Sequence, residues 1–279
     1  MSAGPTRRRM LAGAAALALS MPGAVRAVRR CVLDPCLGAV LMDAADGALL
    51  YEKRARLRGR PASLTKMMTL LVVLEAVRRG EASLEDEVAV TAEAAGIGGS
   101  QVYLAEGERF RLDDMLYALM VKSANDVARA LALHFASTRE AFVARMNARA
   151  GELGLAGTEF HTEHGLPPGR GQEPDVSTAL DMARLARELV KHPDTLRYTS
   201  TEARGFRNGE FMLRSHNPLL GSYEGCDGLK TGYTWIAGWS IAATAERDGR
   251  RLIAVVLGSP RRETRNREAR RLLDLGFGA

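Results

Sequence analysis

The sequence is poor in the features that mark metal, membrane and nucleic-acid proteins. Its three cysteines, Cys31, Cys36 and Cys226, have no metal-ligand spacing with histidine, and the five histidines (His134, His161, His164, His192, His216) make no HExxH. His161 and His164 lie three apart in "FHTEHGLPPG", where prolines and glycines predict a loop. No metal or other cofactor is expected. No run of about 20 apolar residues marks a membrane helix, and there is neither an internal repeat nor a low-complexity linker. Basic residues form no stripe with interleaved aromatics, so no nucleic-acid partner is expected.

What is present begins with the charge, which is +6 overall. Residues 1–27 hold Arg7, Arg8, Arg9 and Arg26 and no acid, so the remainder sets 35 basic residues against 33 acidic ones. That segment runs from a basic cluster through an apolar stretch, Met10 to Met21, to small residues near Ala27. This is the three-part layout of an export signal. Its Thr6–Leu11 start resembles a twin-arginine signal, with the general secretory route as the alternative. Export would place the chain in the periplasm or cell envelope, with no stable membrane span after cleavage. There "CVLDPC" could close a small Cys31–Cys36 disulfide. Cys226 is expected to be unpaired, buried and inert.

The 279 residues are enough for a full core. "GAVLMDAADGALLYEK" (38–53) reads as a hairpin around Asp46-Gly47. From Ser63 the apolar positions suit a helix buried nearly all round and ended by Gly80. Residues 111–136 read as helical material interrupted near Lys122–Asn125. Residues 138–154 and 177–192 read as amphipathic helices, the second capped by Ser177 or Thr178. A second hairpin turns at Asp248-Gly249 (239–258), and a basic helix closes the chain. Strands at both ends with helices between predict one α/β (α+β) unit, 28–279, whose sheet takes strands from both ends around a helical insertion at about 64–200.

Three short motifs carry the chemistry: Ser63-x-x-Lys66, Ser123-Ala124-Asn125 and Lys230-Thr231-Gly232. Their order, with "RPASLTKMMTLLVVLEAVRRG", "LMVKSANDVARALA", "STALDMARLA" and "GLKTGYTWIAGWSIAATAERDGRRLIAVVLG", resembles the serine D-alanyl-D-alanine carboxypeptidases of the low-molecular-mass penicillin-binding proteins, peptidase family S11. The likeness covers roughly residues 37 to 277. It implies the serine β-lactamase/DD-peptidase-like fold: an antiparallel sheet flanked by helices, a mostly helical subdomain, and an active site between them. Ala124 stands where many relatives have glycine. The β-rich second domain and terminal anchor of many relatives are not expected after "LDLGFGA".

A serine hydroxyl needs a base to become a nucleophile. Lys66 lies three residues from Ser63 on the same helical face, but an exposed lysine, with a pKa of about 10.4, would be protonated. Burial and a neighbouring ammonium, for which Lys230 is the candidate, would favour the free amine. The resemblance implies that Ser123 relays a proton to the departing amine and that Asn125 holds the substrate amide and the lysine in register. It implies an oxyanion hole from the N–H groups of Ser63 and Tyr233. Lys230 and Thr231 would bind a terminal carboxylate, Gly232 would let the strand approach the substrate, and Arg265 would assist.

Each residue has a plainer reading: Ser63 a helix cap, Ser123 and Asn125 turn residues, Lys230 an edge charge, Arg265 surface charge. Local capping does not require three spaced motifs. The expected partners are therefore a peptidoglycan stem peptide and, as covalent inhibitors, β-lactam antibiotics. A cross-link-cutting D,D-endopeptidase, a β-lactamase using Glu159, Glu163 or Glu173, and a non-catalytic peptidoglycan-binding protein are the alternatives.

Overall fold

A computed structural model describes Met1, Ser2 and residues 35–278. The export-signal reading of residues 1–27 and the Cys31–Cys36 pairing rest on residues outside that set. In chain order the elements are β1 (Gly38–Asp43), β2 (Leu49–Lys53), a 3-10 turn (Ala62–Thr65) running into α1 (Lys66–Arg78), β3 (Glu87–Ala89) and α2 (Ala92–Ala95). Next come β4 (Arg109–Arg111), α3 (Leu112–Tyr117), one wider π turn (Ala118–Lys122), α4 (Asn125–Phe135) and α5 (Arg139–Glu152). A long loop leads to α6 (Ala179–Val190), α7 (Thr195–Thr199), β5 (Ala203–Phe206), β6 (Phe211–Arg214), β7 (Cys226–Thr234), β8 (Gly238–Arg247), β9 (Arg250–Ser259) and α8 (Arg262–Phe277).

Strands from both ends of the chain make one antiparallel sheet in the order β2-β1-β9-β8-β7. The β8–β9 hairpin turns at Asp248 and Gly249, both with positive φ (50° and 74°), as a type I′ turn needs. The unbroken apolar run of β9 follows from burial on both faces. Ile253, Val255 and Leu257 join Val40, Met42 and Ala242 in the larger core with α1 and α6. Leu252, Ala254 and Val256 face the other way, against Leu272 and Leu273 of α8. Within α1 every residue from Lys66 to Ala76 is buried, which explains why its apolar positions show no single stripe.

The order of strands leaves β7, which carries Lys230-Thr231-Gly232, at an edge of the sheet. Its outer side meets the 3-10 turn that carries Ser63. Two small two-stranded sheets, β3–β4 and β5–β6, are not legible in the sequence; each strand is only three or four residues long, too short to show an alternating pattern. No helix among the described residues is long and apolar enough to cross a membrane.

Helix α6 packs on β1 and β9 and is opened by Thr178, whose side chain accepts the N–H of Asp181 at 3.0 Å. Replacing that cap (Thr178→Ala) is expected to cost about 1 kcal/mol in urea unfolding while leaving the kinetics of the intact enzyme unchanged. An unaltered unfolding midpoint would show that the cap contributes nothing.

Candidate active site

Ser63 sits in the 3-10 turn ahead of α1, and the peptide before it is held from two sides. Gly165 of the 153–178 loop has a φ of +82°, and a Cβ there would come within 2.0 Å of the Ala62 carbonyl oxygen. At Gly232 of β7 a Cβ would lie 2.8 Å from Pro61 O and 3.1 Å from Ser63 N. The sequence reading assigned Gly232 to close approach of a substrate. What the glycine admits here is the helix start itself, so the edge strand and the serine can stand side by side. Ala62, between them, is held at a φ of +50°, a conformation that alanine rarely adopts.

Lys66 has no exposed surface. Its Nζ donates to Asn125 Oδ1 at 2.6 Å and to the His164 carbonyl at 2.8 Å, and lies 3.3 Å from Ser63 Oγ. Burial pushes this amine down to about 7, while Glu163, Asp175 and Asp126 pull it back up. A neutral amine has two N–H bonds and one lone pair. With both hydrogens committed to acceptors that cannot donate, the lone pair is left for the Ser63 hydroxyl. Burial, not the charge of Lys230, is the cause of the shift. The repulsion between the two amines is carried by Lys230, whose own proton affinity falls well below the usual lysine value through burial, Lys66 and Arg265.

Asn125 is aimed by its surroundings. Its backbone N–H bonds Ser100 O at 2.7 Å and its Nδ2 donates to Gly98 O at 2.8 Å, which turns Oδ1 to the lysine. Ser123 closes the π turn in the left-handed region (φ 62°, ψ 35°). Ala124 follows at φ −63°, ψ 124°, ordinary extended backbone, so alanine fits without strain.

A cleft of about 310 Å³ is lined by Ser63, Ser123, Thr231, Gly232 and Tyr233, together with Ser100, His216, Trp239, Arg262 and Arg265. Lys230 lies under it, 2% exposed, with Nζ on Thr231 O at 3.0 Å. Tyr233 stacks on Trp239 with ring centroids 3.9 Å apart. Arg265, in an arginine-rich segment that reads as surface, is 2% exposed. It bonds Asn266 Oδ1 and Ser240 O and has no carboxylate partner among the described residues. Burial and Arg262 push it down to about 10. Among the described residues no acidic side chain lines the cleft, and cations buried without counter-ions make a site for an anion.

Several residues here left no signal in the sequence. The carbonyl of His164 is one, because a backbone acceptor is independent of residue type. Burial and the nearby lysines and Arg262 hold His216 at about 4, so it is neutral in the cleft wall. Asp175 is another: it accepts from His161 N, Thr162 N, Thr162 Oγ1 and Thr65 Oγ1 and so ties the loop to the Ser63 turn. His161 and His164 pair with Glu159 and Glu163 and do not gather as ligands. Among the described residues, Glu75, Glu188 and His192 lie close enough to share a cation, but Arg149 already bonds both carboxylates. Cys226 is half-buried, its thiol raised by burial.

A serine hydroxyl against a buried amine, beside a cationic cleft, can support acyl transfer from an anionic substrate, which is the chemistry of serine-type peptidases. The chain belongs to the Peptidase S11 family of D-alanyl-D-alanine carboxypeptidases, whose profile matches residues 36–261. It is similar to D-alanyl-D-alanine carboxypeptidase DacF of Bacillus subtilis, at 38% identity over 86% of this chain and 61% of that one. To DacC of Escherichia coli the identity is 37%, over 97% and 68% of the two chains. Penicillin-binding protein D2 of Listeria monocytogenes, solved in its ampicillin-bound form, superposes with a TM-score of 0.79 at 32% identity, covering 87% of this chain and 97% of that one. The chain thus spans about three-fifths of the length of the Bacillus relative.

The glycine clamp can be tested apart from the chemistry. Gly165→Ala is expected to lose on the order of 1–3 kcal/mol in urea unfolding, because alanine meets both a left-handed φ and the Ala62 carbonyl. Unchanged stability would mean that the loop does not press on the Ser63 turn.

Proposed function

We propose that the protein is an exported serine D-Ala-D-Ala carboxypeptidase that removes the terminal D-alanine from peptidoglycan stem peptides and is acylated by β-lactams. In this reading residues 28–279 form the catalytic domain and residues 1–27 the export signal. The observation that carries the proposal is the buried Lys66 amine, with both hydrogens committed and Ser63 Oγ 3.3 Å away. The family and the activities of its relatives support the same chemistry.

On this reading the site residues act in turn. The substrate's terminal carboxylate docks on Thr231, Lys230 and Arg265, and its negative charge favours the protonated form of Lys230 that burial disfavours. Lys66 takes the Ser63 proton as Oγ bonds to the scissile carbonyl carbon. The N–H groups of Ser63 and Tyr233, with the partial positive charge of the helix start, receive the oxyanion. The C–N bond then breaks, and the proton passes from Lys66 through the Ser123 hydroxyl to the amine of the departing D-alanine. Water, deprotonated by Lys66, hydrolyses the ester and returns the proton to Ser63. Asn125 holds the lysine throughout, and Gly232 keeps strand and serine in register.

A labelled penicillin should attach to the wild-type protein and not to Ser63→Ala; labelling that persists in the variant would refute the assignment. Release of D-alanine from a stem pentapeptide should exceed cleavage of a cross-linked dimer, and the reverse ratio would make the enzyme an endopeptidase. Lys66 acts as its free base, so kcat/KM should climb as pH rises through about 7 and then level. Lys66→Ala should lose about a thousandfold or more in rate; full rate in that variant would remove Lys66 from the mechanism.

A further inference from the structure

Behind Lys66, away from the cleft, lies a buried ion pair that the reaction steps do not use. Glu163 has no exposed surface and does not line the cleft. Its Oε1 accepts from Arg129 Nε at 2.6 Å, while its Oε2 is buried without any hydrogen-bond partner among the described residues. The same short segment serves α1 twice: the carbonyl of Glu163 accepts from Thr69 Oγ1 at 2.7 Å, and the carbonyl of His164 accepts from Lys66 Nζ at 2.8 Å.

We propose that Glu163 is a positioning residue for Lys66: clamped by Arg129 behind the lysine, it supplies the fixed negative charge that balances the buried amine. A buried carboxylate with one oxygen unsatisfied is costly, and an apolar pair of similar size would generally be at least as stable. Stability alone therefore does not explain the pair. Its placement does, because Arg129 is shared: NH1 bonds Glu93 Oε1 at 2.6 Å, so the guanidinium is divided between two carboxylates and Glu163 keeps charge to offer the lysine.

The groups facing Lys66 from each packed element leave Glu163 as the strongest of its anionic neighbours. From the loop come Glu163, Asp175 and the neutral His164; from α4, Asp126; from β7, Lys230; and from the β6–β7 connection, the neutral His216. Asp175 is saturated by two backbone and two hydroxyl donors, and Asp126 by the N–H groups of Val102, Leu104 and Val127. His164 Nδ1 accepts the N–H of Leu166, and its Nε2 lies 3.4 Å from Arg129 NH2 and 3.6 Å from Glu163 Oε1. With Glu163 removed, the amine should hold its proton less tightly, which puts more free base at low pH and leaves the lysine less firmly placed.

The inference rests on the acyl-transfer reading of Lys66, so two readouts separate them. The chain has five lysines, which makes 13C-lysine NMR of the full-length protein tractable, with Lys66→Arg to assign the signal. In Glu163→Gln both the Lys66 titration and the acid limb of penicillin acylation should move down by about one pH unit relative to wild type. Glu163→Asp should bring both back towards wild type even where its plateau rate is reduced. Superimposable titrations of wild type and Glu163→Gln would overturn the proposal, whatever the plateau rate. Should Glu163→Gln not fold, the double variant Arg129→Met/Glu163→Met removes the pair without stranding a charge, and a Lys66 titration at the wild-type pH would overturn the proposal equally. A wild-type protein that takes no penicillin refutes the acyl-transfer reading, while the NMR titration still decides the role of Glu163.

Discussion

One constraint governs the rest of the molecule: an amine must stay uncharged in a protein interior, against a hydroxyl, at neutral pH. Desolvation is the force that achieves it, because moving an ammonium out of water is far more costly than moving an amine. Desolvation alone would leave the amine free to rotate or to take a proton from any acid near it. The surrounding structure supplies two fixed acceptors, Asn125 Oδ1 and the His164 carbonyl, which consume its hydrogens and leave only one direction for the lone pair.

Those acceptors come from distant parts of the chain, and the fold can be understood as the means of bringing them together. The sheet takes strands from both ends of the sequence, so the helical block between them is held as a closed insertion. α1 runs through the centre of that block, buried on all sides, with its first turn at the edge strand β7. The helix start is then squeezed between that strand and the 153–178 loop, each contributing a glycine because the backbones approach too closely for a side chain. The edge position of β7 sets its outer side against the serine turn and beside the cleft that Arg262 and Arg265 line.

Much of this could be read from the residues alone. The β1–β2 and β8–β9 hairpins, the five longest helices and the interruption before Asn125 followed from periodicity and turn residues, because those signals are local. Three spaced motifs mark Ser63, Lys66, Ser123, Asn125 and Lys230 in the sequence itself. The buried web was not legible. Arg129 reads as one more polar residue of an amphipathic helix, Glu163 as a loop acid, and Arg265 as surface charge; each is defined by contacts across tens of residues. Burial as a cause of the lysine's lowered proton affinity was legible, whereas the part given to Lys230 does not appear, since the sequence shows where charges stand in the chain but not how deep they lie.

The most direct test of the central claim is to see the protons. Neutron diffraction from deuterium-exchanged crystals at pH 8.5 should show two deuterons on Lys66 Nζ, one towards Asn125 Oδ1 and one towards the His164 carbonyl, with the Ser63 deuteron pointing at the nitrogen. Three deuterons on Nζ, one of them directed at Ser63 Oγ, would contradict the account.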